Sequence, residues 1–343
     1  MPQPVNAELG QISELFMLLA SIAYVVALIF FVLDLVKSST TIGTLESRLA
    51  SGKAAPERSL AGVGGRGGTA ESVPSSMPAT ADDSMDYGSG PRRGTARIAV
   101  ALTVVAAIIH GSAVVTRGIA AHRVPWGNMY EFCTTGAFLV AAIFLITLTR
   151  KDLRFVGSFV LGLVVVMLCA ATVGFPTPVA RLIPALQSYW LIVHVSIAVA
   201  SSALFTITFA MSVLQLLQTS REAKLLAGRT DTARFLRLVP SALSLENLSY
   251  RLNAIAFVGW TFTLMAGAIW AEQAWGRYWG WDTKEVWTFV IWTVYAGYLH
   301  ARATRGWTGT RAAWLSIVGY LCIVFNFTIV NIYFSGLHSY SGV

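Results

Sequence analysis

The chain has 343 residues, of which 55% are hydrophobic and only 12% charged, with a mean hydropathy of +0.62. A soluble globule carries about a quarter of its residues charged, so this composition excludes one and indicates a polytopic membrane protein. The net charge of +8 invites a nucleic-acid reading, but the placement of the basic residues between apolar stretches excludes it.

A spanning helix needs ~20 mostly apolar residues. Eight stretches qualify, at about 14–36, 97–117, 131–149, 155–174, 190–217, 252–272, 286–303 and 313–335. The predicted fold is all-α, with about eight transmembrane helices and both the N-terminus and the C-terminus outside. The lead-in to the first stretch has Glu8 and no Lys or Arg, so the stretch is read as a retained span (1–37) and not a secretory signal. Residues 38–96 are rich in Gly, Ser, Pro and Ala and are expected to form a disordered cytoplasmic linker, because they cannot bury enough surface to offset their ordering entropy. Residues 97–343 form the remaining seven-helix core.

With the N-terminus outside, the cytoplasmic segments 37–97, 150–154, 218–251 and 302–312 hold 20 of the 25 Lys and Arg residues. That is the positive-inside pattern, and it fixes the orientation. In chain order, the external loop 118–130 ends in Pro125-Trp-Gly-Asn-Met-Tyr-Glu131. Asn128 can cap the third helix and Glu131 suits its first turn, unless they touch a ligand. Pro176, Pro178 and Pro184 keep the loop 174–189 from forming one regular helix. In 218–251, leucines alternate with Arg and Lys, so the loop is either a solvated connector or an amphipathic surface helix. Cys133, Cys169 and Cys322 make no CxxC pair and read as apolar packing residues.

Between the sixth and seventh spans lies Trp275-Gly-Arg-Tyr-Trp-Gly-Trp-Asp-Thr-Lys-Glu-Val-Trp287. Four tryptophans with interleaved glycines offer a flat aromatic surface that a planar ligand such as a porphyrin can approach closely. An interfacial aromatic belt is the plainer alternative. His194, near the outer end of the fifth span, and His338, after the eighth, share the outer face with this segment. Neutral imidazole is a common haem-iron ligand, and two from separate elements could fill both axial positions. His300 lies roughly 21 Å below the outer end of the seventh span at 1.5 Å per residue, in the inner half of the bilayer, where an ionisable group is a functional candidate. His110 and His122 stay unassigned. Arg277 and Lys284 could pair with ligand carboxylates, or with Asp282 and Glu285.

The pattern Trp275-Gly-x-Tyr-Trp-x-Trp-Asp-x-Lys-Glu-x-Trp287 resembles the WWD motif of haem-handling proteins. Gly127-Asn-Met-Tyr-Glu131, Leu186-Gln-Ser-Tyr-Trp190 with His194, Leu299-His300-Ala-Arg302 and Gly336-Leu-His-Ser-Tyr340 extend the resemblance to the CcsA/ResC branch of cytochrome c biogenesis system II, called CcsB in actinobacteria. It covers about 97–343. The resemblance implies a cytochrome c synthase subunit of the cell membrane that carries haem b, its substrate and bound ligand, to the outer face. There the haem joins an apocytochrome c bearing CxxCH. It also implies haem-iron ligation by His194 and His338 at an outer site and by His300 at an inner site, whose opposite ligand comes from a ResB-type membrane partner. Trp275, Trp279, Trp281, Asp282 and Trp287 would contact the cofactor. A thioredoxin-like reductant is a further possible partner. The alternatives are a haem transporter or chaperone of the CcmC type, and a non-haem transporter with an aromatic belt. This sequence departs from the family pattern at Thr283, where Pro is usual, and at Val286, where Thr is frequent.

Overall fold

The computed structural model describes residues 5–50, 93–182, 186–231, 233–304 and 306–338. These form an all-helical bundle: α1 (Ala7–Ala50), α2 (Gly94–Ala121), α3 (Met129–Leu148), α4 (Gly157–Cys169), α5 (Tyr189–Leu226), α6 (Ala242–Trp275), α7 (Thr283–Thr304), α8 (Thr310–Phe327) and the short α9 (Ile329–Tyr333). Seven segments, counting α8 and α9 as one, are long and apolar enough to cross a membrane. The exception is α7, whose Lys284, Glu285, His300 and Arg302, with many Trp, Tyr and Thr, lower its hydropathy. It nevertheless runs antiparallel between α6 and α8. Its first turn meets the end of α8 through Lys284 Nζ, which donates to the Asn326 carbonyl (3.1 Å). Its last turn meets the starts of α6 and α8, where Glu246 accepts from Arg302 and from the Gly309 N–H. The protein is thus a multi-pass membrane protein, and α7 supplies the eighth traverse.

The boundaries differ from the sequence reading in two places. Helix α1 continues to Ala50, into the stretch expected as linker, while 51–92 lie outside the described residues. The basic connector after the fifth span is mostly helical extension: α5 runs on to Leu226 and α6 begins at Ala242. Between them, Arg221 and Arg237 both donate to Asp231, and Leu236 and Val239 pack into the core around α1. Among the described residues the connector adds only a short helical turn at Arg234–Leu238, in which Leu236 faces the core, while Leu225, Leu226 and Leu243 stay exposed.

Helices α1 and α2 pair along a seam with seven-residue periodicity. The buried positions of α1 are Gly10, Ser13, Met17, Ala20, Tyr24, Ala27, Phe31 and Asp34; those of α2 include Ala96, Ala99, Thr103, Ala106, His110, Ala113, Arg117 and Ala120. Spacings of three and four keep one face of each helix on its partner, and alanine at alternate positions lets the backbones approach closely. Lipid tails are as apolar as leucine, so close packing and hydrogen bonds drive association here. Polar groups set the register: Ser13 Oγ donates to the Ala113 carbonyl (2.8 Å), the Tyr24 hydroxyl meets His110 Nδ1 (3.4 Å), and Asp34 pairs with Arg93 (2.9 Å). In the other half, Asn253 of α6 accepts from Thr208 of α5 (2.7 Å) and donates to Ser316 of α8 (3.1 Å).

One end of the bundle gathers the loops that build the site. Glu131 accepts from buried Arg117 (3.0 Å), from Arg123 (2.6 Å) and from the Gly127 N–H (2.7 Å), while Asn128 caps α3 by accepting from the Glu131 N–H (2.9 Å). Arg117 also donates to the Thr177 carbonyl (2.7 Å), which ties the proline-containing loop to α2.

The seam predicts that α1 is held by packing and not only by its chain connection. Cutting the chain at a protease site placed within 51–92 should leave the α1 fragment bound to the rest through detergent purification. Separation of the two fragments would contradict this account.

Candidate functional site

The loop end contains a cavity with an empty volume of about 1100 Å³, its open mouth included. Ligand sites are typically concave and mostly apolar, with a few placed polar groups, and this one has that character. The walls are mostly aromatic and aliphatic, with Trp126, Phe132, Trp260, Trp270, Trp279 and Phe327 among them. Six helices contribute, α3 and α5 to α9, and the tryptophan-rich segment 275–287 closes one side.

His194 projects from the first turns of α5 into the cavity wall, and His338 reaches it from the segment after α9. The Nδ1–H of His194 donates to the Thr263 carbonyl of α6 (2.9 Å). A carbonyl only accepts, so this bond places the proton on Nδ1 and leaves Nε2 with its lone pair. The Nδ1–H of His338 donates to Asp282 Oδ2 (2.7 Å), with the same consequence. Both imidazoles are therefore held through the nitrogen that a metal would not use, an arrangement usual for metal-binding histidines. Trp270 links them: its ring lies 5.9 Å from His194, nearly parallel at 11°, and 5.6 Å from His338 at 63°. Trp275 stands against both Trp270 (4.7 Å) and His338 (4.9 Å).

The tryptophan-rich segment 275–287 owes its shape to Glu285. Its Oε2 accepts the N–H of Gly280 (2.8 Å) and of Asp282 (3.1 Å), the two amides flanking Trp281. Trp281 itself has φ +59°, a left-handed conformation costly for a bulky residue, at ~1–3 kcal/mol. The bracket of amide bonds holds it there. The Asp282 carboxyl is held below the usual carboxylate range chiefly by the His338 hydrogen bond, with smaller help from the Leu337 and Lys284 amides and against partial burial.

The tryptophans expected to cradle a ligand part company. Trp279 lines the cavity; Trp275 backs His338; Trp281 is 76% exposed and stands perpendicular to Trp279; Trp287 packs on Phe325 of α8 at 4.2 Å. Lys284 pairs with neither Asp282 nor Glu285. It lines the cavity, donates to Asn331 Oδ1 (2.6 Å) and sits over the Phe327 ring (4.6 Å). Arg277 is exposed and folds over Gly280. His300 lies away from this cavity, exposed on the surface of α7. His110 belongs to the α1–α2 seam. Sequence reading missed Trp270, Trp260, Trp126 and Gly267. Gly267 carried a faint signal, a small residue in α6 on the face that meets α5.

Comparison with known sequences supplies the family. Residues 126–338, which include every cavity element, match the family described as "Cytochrome C assembly protein". The chain belongs to this family. It is 34% identical over 289 residues to the "Cytochrome c biogenesis protein CcsA" of Synechococcus elongatus, covering 73% of this chain and 87% of that one. A protein of the same description from Heterosigma akashiwo is 34% identical over 246 residues (63% and 76%), and one from Prochlorococcus marinus is 38% identical over 179 residues (47% and 57%). Helices α1 and α2 both lie outside the matched family region.

Gly267 gives a test of the packing. A Cβ there would stand 2.7 Å from His194 Cε1 and 2.8 Å from its Nδ1. Glycine to alanine in a helix ordinarily stabilises by ~1 kcal/mol. Gly267→Ala should instead lower the thermal midpoint, because His194 must move off Thr263. Gly297→Ala, where a Cβ meets nothing within 4 Å, should leave the midpoint unchanged or raise it.

Proposed function

We propose that this protein acts in cytochrome c maturation as the membrane subunit of a cytochrome c synthase, presenting haem for covalent attachment to a CxxCH apocytochrome. The observation that carries the reading is the pair of imidazoles on one aromatic cavity, each with Nδ1 tied and Nε2 free. Two further features suit haem as the substrate. Lys284 brings a cation into the cavity wall and has no carboxylate partner among the described residues. The indole N–H groups of Trp126 and Trp279, both in the wall, find no acceptor among the described residues. A porphyrin with two carboxylates supplies what these groups want.

The reaction needs no nucleophile from this chain, because the substrate cysteines are the nucleophiles. Each cysteine S–H of the apocytochrome adds across a haem vinyl C=C, with sulfur bonding one vinyl carbon and the hydrogen ending on the other. His194 and His338 would hold the iron, the walls would exclude water, and Trp279 would flank the ring, while Trp270 stacks on the His194 imidazole and steadies it. Lys284 anchors a propionate and so fixes which edge of the ring faces the incoming peptide. Positive-inside charge supports a location of this end of the bundle on the outer face of the cell membrane. His300, exposed on α7, suits an inner haem site completed by a ResB-type partner, which is how haem b would enter before moving outward. A thioredoxin-like reductant would keep the acceptor cysteines reduced.

Purified with its partner and reduced, the protein should show the sharp low-spin spectrum of bis-imidazole haem, and the His194→Ala/His338→Ala double variant should lose that signature. Indistinguishable spectra would sink the axial pair. Haem that binds but never becomes attached to a CxxCH acceptor would favour a transporter of the CcmC type.

Lys284 is tested separately. A hydrogen bond to a charged group contributes about 1.5–3 kcal/mol, so Lys284→Gln should weaken haem binding roughly 10- to 100-fold. Binding of haem dimethyl ester, which lacks the carboxylates, should not change. Equal losses for both ligands would remove Lys284 from propionate recognition.

A further inference from the structure

We propose that Asp282 is the positioning residue of His338, holding the segment after α9 by its backbone and its imidazole at once. This inference rests on the reading of His338 as a haem ligand. His338 lies beyond the last helix, which ends at Tyr333, so no regular structure fixes its direction. Asp282 does so with both oxygens. Oδ2 accepts the His338 Nδ1–H (2.7 Å), and Oδ1 accepts the Leu337 N–H (3.2 Å). Gly336 passes so close that a Cβ there would stand 2.1 Å from Oδ1, so no larger residue fits this path.

The clamp itself is anchored. The Asp282 N–H donates to Glu285 Oε2 (3.1 Å), and its carbonyl accepts the Val286 N–H (3.0 Å) at the start of α7. The direction of His338 is thereby inherited from a helix that packs between α6 and α8. Across the imidazole, Trp270 and Trp275 present only ring edges, which limit tilt but do not choose a nitrogen. The carboxylate does choose: it keeps the proton on Nδ1 and turns Nε2 outward. It also makes the ring a stronger donor to a ferric iron, which lowers the reduction potential.

A plainer role competes, because Asp282 also receives an amide from the first turn of α7, as a helix cap does. Asp282→Ser separates the two. Serine caps a helix well but is too short to reach His338. In the haem-free protein the variant should unfold at the wild-type temperature, while the Leu337 amide exchanges faster with solvent. With haem, affinity should fall about 10- to 100-fold and the low-spin spectrum should be lost. Imidazole added to the solution should restore that spectrum by replacing the misplaced ring. Asp282→Asn, which keeps the shape without the charge, should retain low-spin haem at a higher potential. A serine variant with wild-type spectrum and affinity overturns the proposal, and so does a loss that imidazole does not reverse. A wild-type protein that takes no haem would instead overturn the haem reading, while the Leu337 exchange would still report the clamp.

Discussion

The carboxylates of Glu131, Glu285 and Asp282 hold the loop end of this bundle, and the candidate site exists only because they do. Inside a bilayer, helices satisfy their own backbone groups, but the connections between them cannot. Here three of the segments each borrow a shielded acid. Glu131 takes the Gly127 amide and two arginines; Glu285 takes the amides on either side of Trp281; Asp282 takes the Leu337 amide and the His338 ring. An acid with several donors around it holds a loop more firmly than any apolar contact could, because leaving a donor unmet there is costly. The opposite end repeats the device with Glu246, which accepts from Arg302 and from the Gly309 amide.

The spans were legible because a run of ~20 apolar residues has few other meanings. The pairing of His194 with His338 was legible because topology alone brings the fifth helix and the terminal segment to one face. What side chains do within a loop was not. Composition marks Trp281 and Trp287 as aromatic, yet one is turned outward by a left-handed backbone and the other is claimed by Phe325. Lys284 looked like an external charge and is drawn inward by Asn326 and Asn331. Trp270, the ring between the two histidines, looked like one more residue of an apolar helix. Its role depends on contacts across 70 residues of sequence that no local pattern encodes.

Below the cavity the bundle is closed. Trp260 forms part of the wall, and behind it Phe205 stacks on Tyr295 at 3.8 Å and Phe209 on Tyr320 at 4.5 Å. Asn253, Thr208, Ser212 and Ser316 knit the same helices with hydrogen bonds. The interior between the two ends is therefore a packed and bonded layer, with His300 on its outer surface and not within it.

The seam of α1 and α2 sets different limits on how this sequence can drift over time. Ala20, Ala27, Ala99, Ala106 and Ala113 are fully buried where the two helices pack, so residues as small as alanine are expected to be kept there. One turn around the same helices, Leu18, Ile22, Ile29, Val105 and Ile108 face outward, and one large apolar residue serves a lipid neighbour as well as another. Descendants of this chain should keep a fixed alternation of frozen small positions and freely exchanged large ones. That is a record of packing written as a pattern of variability, in a hairpin that lies outside the region by which the family is recognised.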